Sequence, residues 1–404
     1  MSATAYDTHQ RLRTKAIRQL KKKSYDDAIK TISDGAVSML EQGEQGSGCD
    51  LGVYLVDILD QSSKPCDQDA REKIIKIVSL AKNDFWRKKL IDAAVRWSVK
   101  ASRNPAGDSF LRLGIAEVLT KESSFYLAET HYIAACVTPP ASSSAQVPEH
   151  APKAFALMMV EWLKTFAQDA SQQTGEKRDA EVIERIEAGK WALRALMPLL
   201  SLKASEAARG FLSIFISRLA AKHSTLLLPV TPNPRPYTAP AGAENAPSPP
   251  QNLQMSITAN PDLNFGQMAL ALSLHAKASK ASSGRVPDGL RNAWVALVRQ
   301  YEREGDAIHE EGISDTIPTI SKSYFDMQPS RPQGNFMQDM LSSLMGGGQQ
   351  GKQSQIAGGV PEPVQPLVIK QVPQPVFQSA AEDEQSADDP EGGAAEALEE
   401  EDLD

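Results

Sequence analysis

Proline placement constrains this chain more than any other feature. Residues 1 to 138 contain only Pro65 and Pro105, whereas residues 229 to 261 contain Pro229, Pro232, Pro234, Pro236, Pro240, Pro247, Pro249, Pro250 and Pro261. Proline has no backbone N–H and its ring clashes with the preceding turn, so the first region can run helix after helix and the second cannot be helical. Hydrophobic periodicity agrees. Phe155, Met158, Met159, Trp162, Leu163 and Phe166 fall on one helical stripe, as do Leu290, Trp294, Leu297, Val298 and Tyr301. Similar stripes run through Trp86, Leu90, Ala93, Ala94 and Trp97, and through Val182, Ile186, Leu193, Leu196 and Leu200. About a dozen helices are expected, with almost no alternating strand pattern before residue 226.

Short turns between helices of similar length imply antiparallel hairpins stacked side by side, an all-α, tetratricopeptide-like α-solenoid. Tyr25-Asp-Asp-Ala28 and Phe125-Tyr-Leu-Ala128 share an aromatic-x-x-Ala core. Their spacing of about 100 residues is near three times the 34-residue tetratricopeptide period. The expected organisation is a helical solenoid over 1–228, a Pro-rich insert with possible β-hairpin strands at its edges over 229–261, and further solenoid helices over 262–328. A tethered Met-rich short helix over 329–346 and a disordered Gly/Gln/Pro-rich, then acidic, tail over 347–404 complete it.

Near the start, Ser24 and Asp27 read as a capping box ahead of the apolar face Tyr25, Ala28, Ile29, Ile32, Ala36, Met39 and Leu40. Gly43, Gly46 and Gly48 should end that helix, and Asp50 should cap the next. No strand precedes these glycines and no Gly-Lys-Ser/Thr follows, so they do not make a phosphate loop.

The net charge of −8 misleads, because Glu382, Asp383, Glu384, Asp388, Asp389, Glu391, Glu396, Glu399, Glu400, Glu401, Asp402 and Asp404 lie in a terminal segment without Lys or Arg. Removing them takes the charge from −8 to +4, leaving a mildly basic body. No signal-like apolar region follows the start, no apolar run approaches the roughly 20 residues of a span, and no Asn-X-Ser/Thr acceptor occurs. A cytosolic protein without membrane insertion is expected. Cys49, Cys66 and Cys136 are odd in number and widely spaced, which suits buried reduced thiols rather than a disulfide framework or a zinc site. The histidines (His9, His131, His150, His223, His275, His309) show no metal-ligand spacing, and His309-Glu310-Glu311 lacks the second His of a zincin. Catalytic residues, metals and cofactors are therefore expected to be absent. A hydrolase would need paired carboxylates of divergent pKa.

What remains points to binding. Arg11, Lys15, Arg18 and Lys22 recur at i, i+4, i+7 and i+11, Lys21 and Lys23 broaden the patch, and no acidic residue lies between Asp7 and Asp26. Leu12, Ile17 and Leu20 serve the other side. Such a stripe is either a solvated face or a site for an acidic protein surface; nucleic acid fits less well because no aromatic residues interleave.

Lys23-Ser-Tyr-Asp-Asp-Ala-Ile29, Ile32-Ser-x-Gly35-Ala36 and Gly46-Ser-Gly-x-Asp-Leu51 with Tyr54-Leu55 resemble the second helix hairpin of the Golgi to ER traffic protein 4 family, cytosolic adaptors of tail-anchored membrane-protein targeting. Further matches follow in order. These are Arg96-Trp-Ser-Val-Lys100, Gly107-Asp108, Ala128-Glu129-x-His-Tyr132, Asp262-Leu-Asn-Phe265, Asn335-Phe-Met-Gln-Asp-Met340 and Leu344-Met-Gly-Gly347. The resemblance implies that Arg11, Lys15, Arg18, Lys21, Lys22 and Lys23, with Asp57 on the neighbouring helix, face the ATPase that carries tail-anchored substrates. It also implies a β-hairpin that grips a ubiquitin-like-domain partner, and through it reaches a tetratricopeptide co-chaperone. Leu226, Leu228, Val230, Leu253, Met255 and Ile257 on Leu226–Val230 and Leu253–Ile257, with Leu263 and Phe265, are the corresponding residues. Tyr6 to Arg18 aligns with the family's second helix, so the resemblance leaves the family's first helix without a counterpart here, through either a misassigned start codon or real loss. The competing reading is a helical scaffold subunit of a proteasome-lid-like assembly, although such subunits end in a winged-helix module. The stripe Phe336, Met337, Met340, Leu341, Leu344 and Met345 suits a mobile recognition helix.

Overall fold

A computed structural model describes residues 3–140, 146–173, 179–247 and 253–327. The Met-rich segment around 335–345 and the acidic tail lie outside the described residues. The first ten helices are α1 (Ala3–Lys21), α2 (Tyr25–Glu41), α3 (Gln45–Gln61), α4 (Gln68–Leu80), α5 (Phe85–Ser102), α6 (Ser109–Lys121), α7 (Phe125–Cys136), α8 (Ala151–Gln173), α9 (Ala180–Ser201) and α10 (Ser205–Lys222). A proline-rich segment with two short strands, β1 (Arg235–Pro236) and β2 (Gln254–Met255), follows. The described chain then closes with α11 (Pro261–Ser283), α12 (Asp288–Glu304), α13 (Glu311–Ser314) and α14 (Thr316–Phe325). The architecture is an α-helical solenoid. Each helix packs on its chain neighbour or on the helix two places along: α2 on α1, α3 and α4, α4 on α6, α3 on α5, and α8 on α7, α9 and α10. At the far end α13 and α14 fold back onto α9, and α14 also packs on α11.

One turn recurs. After α1, α2, α3, α6 and α9 a residue with positive φ reverses the chain: Lys23 (59°), Gly43 (81°), Ser63 (53°), Ser123 (57°) and Lys203 (62°). In the first of these Lys23 N–H donates to Leu20 O and Ser24 N–H to Gln19 O, and the other four repeat that pair of bonds. This is the Schellman arrangement, which satisfies carbonyls that a helix end would otherwise leave open. Only Gly43 announces it by residue type.

The start of α3 differs from expectation. Gly46 and Gly48 lie inside α3 rather than ending α2, and Asp50 stands in its second turn while Glu44 takes the N-cap position. A Cβ on Gly48 would come within 2.5 Å of Leu40 Cγ, so this glycine is needed for the close approach of α2 and α3. Ser24 is at the N-cap of α2, yet its hydroxyl donates to the Asp27 carboxylate at 2.5 Å instead of accepting a backbone N–H. The reason is its ψ of 69°, outside the extended region a capping side chain requires. Working caps are supplied by Asp67, Asp84, Asp108, Asp179 and Asn260.

Most predicted stripes are core. Phe155, Met158, Met159 and Leu163 are buried, and rings of Tyr132, Phe155, Phe211 and Phe215 form a run with centroid separations of 5.4, 5.1 and 5.6 Å across α7, α8 and α10. Leu290, Trp294 and Leu297 are likewise buried. Three expected core residues are not: Ile17, Trp86 and Ile186 are 44%, 41% and 56% exposed.

Candidate functional site

The basic surface begins with how α1 packs. Ala5, His9 and Ala16 are buried, Leu12 and Leu20 are half-buried, and the opposite face carries Arg11, Lys15 and Arg18 in solvent. At 100° per residue these three cations lie within roughly 60° of arc. Lys21 ends the helix and Lys22 and Lys23 occupy the following turn, all three exposed. The expected continuation of the helical stripe to Lys22 is thus made by a turn. None of the six cations has an ion pair among the described residues; Arg11 bonds only to Asp7 O (3.3 Å) and Thr8 Oγ1 (3.1 Å) of its own helix. The adjacent charges are engaged elsewhere. Arg13 meets Asp50 at 2.7 Å and lies 4.6 Å over the Tyr54 ring, His9 meets Asp50 at 3.0 Å, and Lys64 holds Asp26 at 3.0 Å. Asp57 is exposed on α3. Partial burial pushes its carboxyl above the usual range, Arg13 opposes this, and Asp60 and Asp50 add to it.

The second surface is the hairpin. Arg235 pairs with Met255 and Pro236 with Gln254 in antiparallel register, and an isolated bridge joins Leu227 to Thr258. Leu228 N–H donates to Ile257 O at 2.9 Å, Ala259 N–H to Leu226 O at 2.8 Å, and Tyr237 N–H to Leu253 O at 2.9 Å. The expected strand Leu253–Ile257 contains β2. The expected strand Leu226–Val230 pairs only in its first half, because Pro229, Pro232 and Pro234 cannot donate to a ladder, and pairing resumes at β1. Thr231–Pro232 and Asn233–Pro234 are cis. Across this interruption the Asn233 amide replaces backbone: it donates to Leu228 O at 3.0 Å and to Ile257 O at 2.9 Å, and accepts from Ile257 N–H at 2.9 Å. Gln267 of α11 bonds Ser256 N–H and O, both at 2.8 Å, and pins the hairpin to the solenoid.

Of the expected partner-binding side chains, Leu226, Met255, Leu263 and Phe265 are buried within the fold and offer no surface. Leu228 is 39% exposed, and Val230, Leu253 and Ile257 are half-buried. Sequence reasoning missed Ile186, which it placed in the core of α9. With Val182, Leu226, Ala259 and Pro261 it lines a cleft of about 340 Å³ beside the hairpin stem. An apolar helical stripe running past its covering elements was the available signal.

The motif residues away from α1 to α3 build the interior. Glu129 accepts two bonds of 2.7 Å from Arg194, whose guanidinium sits 4.6 Å from the Trp162 ring. Burial pushes the Glu129 carboxyl up and Arg194 partly offsets this. Arg112 donates to His131 Nδ1 at 3.1 Å. Burial, reinforced by Arg112, pulls His131 down to about 3, so it is neutral with its proton on Nε2. Asp108 caps α6 and meets Arg71 at 3.3 Å; Arg87 makes a bidentate pair with Glu122 at 2.6 and 2.7 Å. Glu184, buried in α9, accepts from Lys222 at 2.6 Å and bonds His223 at 2.7 Å; burial pushes its carboxyl up, but these partners outweigh it and hold it low. Burial pushes Cys49 and Cys136 up to about 12, and Cys66 up as well. Among the described residues no group of three or more His, Cys, Asp or Glu could hold a metal, and no helix is long and apolar enough to cross a membrane.

The family model described as Golgi to ER traffic protein 4 matches residues 22–345. A protein of that name from Aspergillus fumigatus is 24% identical over 363 residues, covering 86% of this chain and 87% of that one. The Schizosaccharomyces pombe protein is 30% identical over 129 residues, 32% of this chain and 42% of that protein. The human Golgi to ER traffic protein 4 homolog is 25% identical over 129 residues, 39% of its length. The crystal structure of C. therm. Get4 superposes with a TM-score of 0.61 at 23% identity, covering 86% of this chain and 93% of that one, which is a likeness of fold.

Proposed function

The chain belongs to the Golgi to ER traffic protein 4 family, and from that premise we propose that it is a non-catalytic cytosolic adaptor for delivery of tail-anchored membrane proteins. One surface, Arg11, Lys15, Arg18, Lys21, Lys22 and Lys23 with Asp57 beside it, receives the targeting ATPase. The other, around Leu228, Val230, Leu253 and Ile257 with Ile186 in the adjoining cleft, receives a ubiquitin-like-domain protein, which links the assembly to a tetratricopeptide co-chaperone. The observation that carries this reading is the set of six exposed cations left without an ion pair while neighbouring Arg13, Asp50, Asp26 and Lys64 pair with one another. Unpaired like charges on one face repel each other and gain most from an acidic partner.

Exposed charge contacts weaken as the screening length falls from about 10 Å at 0.1 M salt to about 3 Å at 1 M. Arg18→Glu with Lys22→Glu is therefore expected to slow association with the ATPase by about tenfold or more at low salt, and to leave the ubiquitin-like partner bound. Interferometry on the two partners separately checks both halves; unchanged ATPase association would refute the assignment of the basic face.

A further inference from the structure

The far end of the solenoid holds a cleft of about 480 Å³ lined by Lys203, Lys280, Pro318, Thr319, Lys322 and Ser323. Three chain elements converge on it. Lys203 is the positive-φ residue of the turn between α9 and α10, Lys280 comes from the last turns of α11, and Thr319, Lys322 and Ser323 come from α14. All three ammonium groups belong to exposed residues. Acidic groups at this end are already engaged: Asp326 pairs with Lys280, and Glu206 lies 3.5 Å from Lys277. The ammonium groups of Lys203 and Lys322 have no ion pair or hydrogen-bond partner among the described residues, and neither do the hydroxyls of Thr319 and Ser323.

Two lysines with uncompensated ammonium groups, a third held by a single carboxylate and two hydroxyl-bearing residues line one open cleft. Lysine binds as a point charge with three rotatable donors, which suits the rounded, multiply charged phosphate group; planar carboxylates are better matched by the arginine fork, and no arginine lines the cleft. The volume is that of a compact solute and not of an extended peptide or nucleic-acid strand. From this geometry we propose that the cleft is a binding site for a compact polyphosphate of the inositol-phosphate type, either free in solution or as a lipid headgroup. Lys203 and Lys322 supply the principal charge, and Thr319 and Ser323 donate to phosphate oxygens. Binding there would compete with the Asp326 contact for Lys280.

The full chain is titrated with inositol hexakisphosphate by calorimetry at 0.15 M salt. It is also sedimented with phosphatidylcholine vesicles, with and without phosphatidylinositol 4,5-bisphosphate. Saturable one-to-one binding is expected, weakened about tenfold or more in Lys203→Ala/Lys322→Ala and unchanged in Lys153→Ala, an exposed lysine of α8. Both lysines are exposed and unpaired, so circular dichroism melting should show the double variant folded. Binding to hexakisphosphate alone identifies a soluble ligand, and additional lipid-dependent sedimentation identifies a headgroup. Absence of binding in both arms overturns the proposal, as does equal loss in the Lys153 variant or full retention in the double variant.

Discussion

His131 and Glu129 stand two positions apart in one of the stretches that resemble the family, and both are buried. Both are structural. His131 accepts from Arg112, a donor at any physiological pH, so protonating the ring would place two cations together in a buried site. Its folded pKa of about 3 lies below the unfolded value near 6.5. Above pH 6.5 neither state is protonated and the residue has no effect on pH dependence. As pH falls below 6.5 the unfolded chain takes up a proton that the native chain refuses, and stability is lost down to about pH 3 at a rate approaching 1.4 kcal/mol per pH unit. His131→Gln keeps an acceptor for Arg112 without the titration. It is expected to lose less stability than the parent between pH 7 and pH 5, read from urea midpoints at each pH; identical slopes would show that His131 takes up its proton alike in the folded and unfolded chains.

Among the elements, the hairpin depends most on a single side chain. A two-stranded ribbon is marginal alone, and here prolines remove backbone donors from the middle of one strand. The Asn233 amide supplies three bonds across the gap, while Gln267 holds the far strand on α11. Asn233→Ala leaves the Ile257 N–H without its partner, at about 1–3 kcal/mol if no water replaces it. The expected result is faster hydrogen exchange at Ile257 and weaker binding of the ubiquitin-like partner, with ATPase binding unaltered. Unchanged exchange at Ile257 would mean that Gln267 and the paired ends suffice to hold the strand. The recurring turn makes the same point about legibility. Gly43 could be read as a helix end, but Lys23, Ser63, Ser123 and Lys203 adopt the same left-handed conformation with no residue signature, because hairpin packing outweighs their local preference.

At the scale of the molecule, a solenoid transmits little along its length because each repeat touches only near neighbours. Here α1 packs on α2 and α3, while the hairpin is fastened to α11 near α9 and α10. The two proposed partner surfaces should therefore bind independently. Saturating the chain with the ubiquitin-like partner is expected to change its ATPase affinity by less than about twofold, a coupling below roughly 0.4 kcal/mol. Calorimetric titration of the binary and ternary assemblies measures it, and a coupling above tenfold would require a global rearrangement of the helices between the two surfaces.

The sequence by itself determined the helical class, because proline and apolar period act locally and need no neighbour; the insert expected to run to 261 ends one residue sooner, with Pro261 at the first position of α11. The sequence also determined the part of the basic stripe made by Arg11, Lys15 and Arg18, since charge spacing on a helix is set by its geometry, while Lys22 joins them from the turn after α1. Tertiary structure alone decided which apolar residues face solvent. Ile186 has the periodicity of a core residue and is exposed at a cleft beside the hairpin stem, whereas Leu226, Met255, Leu263 and Phe265, expected at an interface, are covered by the chain itself. Pairing partners were equally invisible: Arg194 lies 65 residues from Glu129 and Asp50 lies 37 from Arg13. Whether a charge is neutralised inside the fold or left for a partner depends on such distant contacts, which only the packing of the hairpins brings together.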